Sequence, residues 1–272
     1  MNALRAAALS ALIVLSPVGC AMAQSLGLGP DVASVTYGPY ARAEMGHARN
    51  DAGGGFWDPP GGDDPRIFFD LDAEDGSFGA LAIGFDWQNG WRADMSLSRL
   101  GRVGVAGPCS GASDASPCDL SPTIDNHADI ESASVSSTAM MANVFFAPLE
   151  ARGSNTRFQP FIVAGLGLSR NKVGAWTREN NGPETDRPSR TFAGNSSSEF
   201  AWSLGLGASW QITPPGRRPI IVEASWRYYD LGKASGGTTP LSDDGRPPRT
   251  PLTFDNRSSV VSVAVRIPLV RY

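Results

Sequence analysis

The chain has no apolar run approaching the roughly eighteen residues that a membrane-spanning helix needs. It has two histidines, His47 and His127, which leaves little material for a histidine-based active site or a metal centre. Charged residues make up 18% and the formal net charge is −4, so no basic surface argues for nucleic acid. Of the three cysteines, Cys20 falls near the N-terminus, whereas Cys109 and Cys118 share one Ser/Gly/Pro-rich stretch. In an oxidising compartment those two are expected to close a small disulfide, since nothing nearby completes a four-ligand metal set.

The N-terminus supplies an address. A short head ending in Arg5 precedes the apolar residues 6–18, and Ala21-Met22-Ala23 provides small residues for signal-peptidase cleavage. A signal peptide over 1–23 and a mature chain from Gln24 are expected. The competing lipoprotein reading, with Cys20 acylated, is weakened by Pro17, which replaces the usual branched aliphatic residue. An exported chain without a helical span is periplasmic, secreted or a membrane barrel.

Thirty-one glycines and 21 prolines are abundant, and what lies between them alternates. From Phe200 to Trp210, Phe200, Trp202, Leu204, Leu206, Ala208 and Trp210 share one face, and Ala201, Ser203, Gly205, Gly207 and Ser209 the other. After a Pro/Gly turn the period resumes, with Ile220, Val222, Ala224, Trp226 and Tyr228 opposed by Glu223, Ser225, Arg227 and Tyr229. Strands of about ten residues, apolar on one face, aromatic at both ends of it and small or charged on the other, fit an outer-membrane barrel.

The same period predicts strands over 35–45, 78–87, 91–100, 132–147, 158–169 and 261–267, which makes eight. Gln88-Asn89-Gly90 marks a tight hairpin. Four long polar segments (47–77, 101–130, 170–197, 231–257) alternate with three short connections, as expected when long loops face outward and short turns face the periplasm. The expected fold is an all-β, eight-stranded antiparallel up-and-down transmembrane barrel, one domain over 24–272. Pro268 and Tyr272 leave the last strand ambiguous: either a bulge near Pro268 shifts its register, or Leu269 takes the final lipid-facing place.

Three stretches, Ala142-Asn143-Val144-Phe145-Phe146, the run from Pro160 to Gly167, and Ser225-Trp226-Arg227-Tyr228-Tyr229-Asp230-Leu231-Gly232, carry a family likeness. On them the chain resembles the eight-stranded outer-membrane proteins of the OmpA-like and opacity-protein type. The resemblance implies a monomer inserted by the outer-membrane assembly machinery among outer-membrane lipids and lipopolysaccharide. It also implies roles in envelope integrity, contact with a host or other surface, or, porin-like, small-solute passage.

The residues refine this. Arg42, Glu44, Asp86, Arg92, Asp94, Glu223, Arg227 and Arg266 stand at lumen parity and are expected to pair acid with base in an interior just wide enough for side chains. A gated solute path through the same network is the alternative. Trp87, Trp91, Trp202, Trp210, Trp226 and Tyr228 are the expected aromatic girdle, which argues against a soluble, lipocalin-like barrel with the faces inverted.

The acidic stretch from Asp70 to Gly76 departs from a calcium loop: its glycine comes one place late and Leu81 stands where a bidentate Glu is needed. Weak interaction with divalent cations is the reading it supports. An enzyme acting on outer-leaflet lipid through a His and a Ser is the rival class, but neither His47 nor His127 sits in a recognisable motif. No catalytic residue and no cofactor are expected.

Overall fold

The computed structural model describes residues 38–116, 118, 129–180, 189–214, 218–242 and 246–269. The expected signal peptide with Cys20, His127 and Tyr272 lie outside these residues.

Eight strands form the wall: β1 (Gly38–Asp51), β5 (Gly76–Asp86), β6 (Trp91–Ala112), β7 (Asp129–Phe146), β8 (Phe158–Val173), β11 (Asn195–Gln211), β12 (Ile221–Ser235) and β13 (Thr250–Pro268). Each pairs antiparallel with the next in this order. β1 then pairs with β13 from Tyr40↔Pro268 to Asp51↔Arg257, so the sheet closes and no edge remains for lipid to meet.

The apolar faces point outward, as the alternation predicts. Met45, Leu81 and Ile83 are 74%, 69% and 69% exposed, while Arg42, Asp94 and Ser96 on the opposite face are buried. Trp87, Trp91 and Trp210 mark one rim of this belt, and Trp202, Trp226 and Tyr228 the other, with Trp202 and Tyr228 packed at 5.5 Å between ring centroids. The belt and its two aromatic rims form the surface that a bilayer covers.

At the periplasmic rim the turn Gln88-Asn89-Gly90 closes β5 onto β6. Gly90 takes φ +85°, and an added side chain there would meet Ala147 and Ala151. A short helix, α1 (Pro148–Ala151), turns β7 back towards β8. At the far end of β13, pairing runs without a shift to Pro268, which is buried, and Leu269 is 51% exposed. Leu269 therefore takes the last outward place among the described residues.

The wall is taller than the periodicity indicated. β6 runs twelve residues past its expected end at Leu100, and β6–β7 pairing continues to Pro108↔Ile130. A crossing strand needs about 9–11 residues, so the upper half of this wall stands outside the membrane. The long segments add short strands to it: β2 (Gly55–Asp58), β3 (Ile67–Phe69), β4 (Asp72–Ala73), β9 (Trp176–Asn180) and β10 (Arg190–Phe192). β2 pairs with β13 and β3, β3 and β4 pair with β6, and β9 pairs with β7 and β10.

Candidate functional site

All eight charged residues expected in the lumen converge there, each buried. Their contacts follow from register. Tyr40, Arg42 and Glu44 step along the inner face of β1, and Asp86, Arg92 and Asp94 face them from β5 and β6. Arg42 donates to Glu44 at 2.7 Å and, through Nε, to Asp94 at 3.1 Å. Asp94 also accepts from Tyr40 Oη at 3.1 Å and Asn143 Nδ2 at 2.7 Å. Glu223 is a second node. It accepts from Arg92 and, at 2.9 Å, from Arg266, which also reaches Asp86 at 2.8 Å.

Arg227 departs from the expected acid–base pairing. No carboxylate among the described residues bridges it; it donates to Tyr229 Oη at 3.2 Å and to Asn143 at 3.5 Å. Its guanidinium lies 5.2 Å from the centroid of Phe145, and Nε and Nη2 have no hydrogen-bond partner. The aromatic face and two dipoles stabilise this cation where the parity of the sequence implied an anion.

Phe145 and Phe161 pack beside these charges at the periplasmic side, with Arg92 4.1 Å from the Phe145 centroid. Outward of them, Phe78, Leu100, Met141, Tyr229 and Val260 form an apolar layer. Next comes a neutral polar layer, in which Asn256 donates to Ser137 at 2.8 Å and to Asn171 at 3.0 Å. Asn171 in turn donates to the carbonyls of Leu231 and Lys233. The interior is thus occupied by side chains in alternating charged, apolar and polar layers.

Above that lies an apolar core whose residues, Val135 of the expected strand 132–147 apart, fall in the segments expected to be polar loops. Trp57, Ile67, Phe69, Val103, Val105, Val135, Val173, Trp176, Phe192, Leu252 and Phe254 are all buried in it. Trp176 stacks on Phe192 at 4.2 Å and meets Trp57 edge-on at 6.0 Å. Outside the membrane the surroundings are water, so apolar side chains gain by turning into the barrel. Val135, Val173, Leu252 and Phe254 keep the inward parity of their strands lower down, whereas β6 and β12 change phase through register shifts, one between Leu100 and Val103, the other between Asp230 and Lys233, where Gly232 adopts φ +72°. The alternation of Val103 and Val105, and of Leu252 and Phe254, was the available signal for this core.

The cap has further ties. Arg66 forks onto Asp58 at 2.8 and 2.9 Å and stacks 4.2 Å from the Phe56 centroid; its hydrogen bonds hold the Asp58 carboxyl below the usual carboxylate range. Arg249 donates to the carbonyls of Pro59, Gly62 and Asp64. Cys109 and Cys118 are joined by a disulfide with Cα atoms 5.6 Å apart.

One group in the cap is costly. Glu131 is fully buried, nine residues beyond the lipid-facing Met140 on β7, and neither carboxylate oxygen has a hydrogen-bond partner. Burial, and then the neighbouring Asp129, push its pKa well above the ordinary value, while Arg178 opposes them. The native state therefore holds this proton to higher pH than the unfolded chain does. Stability falls as pH rises from the unfolded pKa through the folded one. Glu131→Gln is expected to flatten that fall and to raise the cap's thermal midpoint at pH 8 more than at pH 4, as read by near-ultraviolet circular dichroism.

His47 lies outside on the wall, bonded to Asp75 at 3.1 Å. In the acidic stretch, Glu74 Oε2 accepts the Gly104 N–H at 2.9 Å. Among the described residues no group of three or more His, Cys, Asp or Glu is placed to hold a metal ion.

No protein-family model matches the sequence. Over 82 residues the chain is 33% identical to the outer membrane protein PagN of Salmonella typhimurium, a match covering 30% of this chain and 30% of that protein. Similar solved structures include OprG from Pseudomonas aeruginosa, with TM-score 0.44, 14% identity, and 87% of this chain and 99% of that one covered. Neisserial surface protein A gives a TM-score of 0.43 at 15% identity, covering 85% and 97%. The closed sheet and its outward apolar belt make the chain a transmembrane β-barrel of the outer-membrane type.

Proposed function

We propose that the protein is a sealed surface barrel. It stabilises the outer membrane by its fold and offers its outer cap for contact with other surfaces, without catalysis and without conducting solutes. Its working partners on this reading are outer-membrane lipids and lipopolysaccharide, the assembly machinery that inserts it, and a ligand met at the cap.

The observation that carries the reading is the filled interior. A solute crossing it would have to part Glu223 from two arginines, then separate Trp57, Trp176 and Phe192 in the apolar cap. Breaking a buried ion pair costs about 3–5 kcal/mol, and opening an apolar core adds to that. Ordered strands in the long segments, tied down by Arg66 and Arg249, favour a shaped contact surface.

The test is conductance of the refolded protein in planar bilayers, expected to show no single-channel steps. Regular steps altered by neutralising Arg227 or Glu223 would replace this reading with a narrow channel. A parallel arm shortens the segment around 59–66 and measures attachment of expressing cells to a surface. Attachment is expected to fall while heat-modifiable gel mobility, the sign of an inserted barrel, is kept.

A further inference from the structure

The outer wall is electrically lopsided just above the lipid-facing belt. On β6 and β8, Arg99, Arg102, Arg170 and Lys172 are all exposed, and none has an ion-pair or hydrogen-bond partner among the described residues. Register places them together. Thr138 of β7 pairs with Arg99 on one side and Arg170 on the other, and Ser136 pairs with Lys172. Strands lie about 4.8 Å apart, so Arg99 and Arg170 stand roughly 10 Å apart across Thr138, close enough for their long side chains to converge on one anionic group. On the opposite wall the cations come with acids. Arg257 lies 2.9 Å from Asp255 and 3.6 Å from Asp230, His47 is bonded to Asp75, and Arg49 shares a face with Asp51.

Height decides what the four unpaired cations face. Arg99 follows Leu97, and Arg170 follows Leu168, two residues further out on the same face. That is about 7 Å above the last lipid-facing side chains, the level of lipid headgroups. Below Arg99 and Thr138 the wall is hollow. There an apolar groove of about 750 Å³ runs from Arg99 and Thr138 across β5 and β1 to β13, floored by Ala43 and Gly79 and bounded by Met45, Leu81, Leu97 and Val263. A side chain added at Gly79 would approach only the Glu44 carbonyl, at 3.9 Å.

We infer that this face seats a phosphorylated lipid of the outer leaflet, with its phosphates on Arg99, Arg170, Arg102 and Lys172 and an acyl chain in the groove beneath. Guanidinium and ammonium groups bind phosphate by charge-assisted hydrogen bonds, and the hydroxyls of Thr138 and Ser136 stand between them as further donors. A soluble sulfated polysaccharide would use the same cations, but it has no use for an apolar groove that opens beside Arg99. The inference rests on the proposed surface role only in taking this rim to face outward. Lipid retention is measured apart from surface attachment, so either can fail alone.

The experiment uses the full-length protein in phosphatidylcholine nanodiscs, titrated with diphosphoryl lipid A or with the same lipid dephosphorylated. The wild type is expected to prefer the diphosphoryl form at least tenfold. At about 1 kcal/mol per cation near an anionic lipid surface, the R99Q/R170Q pair should weaken that binding roughly 30-fold, whereas R257Q should change it less than twofold. Heat-modifiable mobility confirms that each variant is folded; should the Gln pair lose it, K172Q reads the same face with one change. Equal binding of the two lipids, an equal loss in R257Q, or heparin binding that diphosphoryl lipid A does not displace would each overturn the assignment.

Discussion

Glu223→Gln is expected to destabilise the barrel by about 3–5 kcal/mol, the usual cost of removing one partner from a buried ion pair. Glu223 is 2% exposed and is the shared acceptor of Arg92 and Arg266, themselves 6% and 5% exposed. Gln keeps the shape and one acceptor but removes the charge, leaving two guanidiniums in a narrow interior with Asp86 as the carboxylate that still bridges Arg266. Urea unfolding in lipid vesicles, followed by heat-modifiable mobility, measures the loss. The cycle with Arg92→Met separates the pair from its surroundings: the double variant should be more stable than the sum of the two single losses implies, because it removes the orphaned cation as well. A loss below about 1 kcal/mol in the single variant would mean that the lumen is wet and the charges are screened by water.

Trp176→Ala is the second large effect. Trp176 is fully buried between Trp57 and Phe192, and its Nε1 donates to the Gly237 carbonyl at 2.9 Å. Truncating a buried Trp costs about 3–5 kcal/mol, and the cost should fall on the cap alone. The amides of Val103–Cys109 are expected to exchange faster, while those flanking Met140 to Phe146, inside the lipid belt, keep their protection. The two regions are separated by the layer of Ser137, Asn171 and Asn256, and the apolar residues above and below it form distinct clusters. Uniform loss of protection along β6 and β7 would show that cap and belt unfold as one unit.

The sequence by itself determined the belt and its contents. Between two aromatic rims each strand meets lipid on one side and a narrow interior on the other, so every second residue is apolar and the rest are small or charged. That contrast is strong enough to assign faces in all eight strands and to place Arg42, Glu44, Asp86, Arg92, Asp94, Glu223, Arg227 and Arg266 inside. Parity gives the side of the wall and says nothing about distance around it. Only the closed structure decided that Glu223 of β12 meets Arg92 of β6, or that Arg227 rests on Tyr229, Asn143 and Phe145 with no acid beside it.

Tertiary structure alone also decided the cap. Where the wall leaves the membrane its outer face meets water, polar residues become acceptable outside, and the apolar ones turn inward. The bulges at Leu100–Val103 and Asp230–Lys233 shift the alternation by one residue at that boundary, which broke the pattern at the point where it would have shown that the strands continue. The partners of Trp57, Trp176 and Phe192 come from separate long segments, and no local period links them. Their burial against one another is a property of the closed barrel, because only closure brings those segments over a common axis.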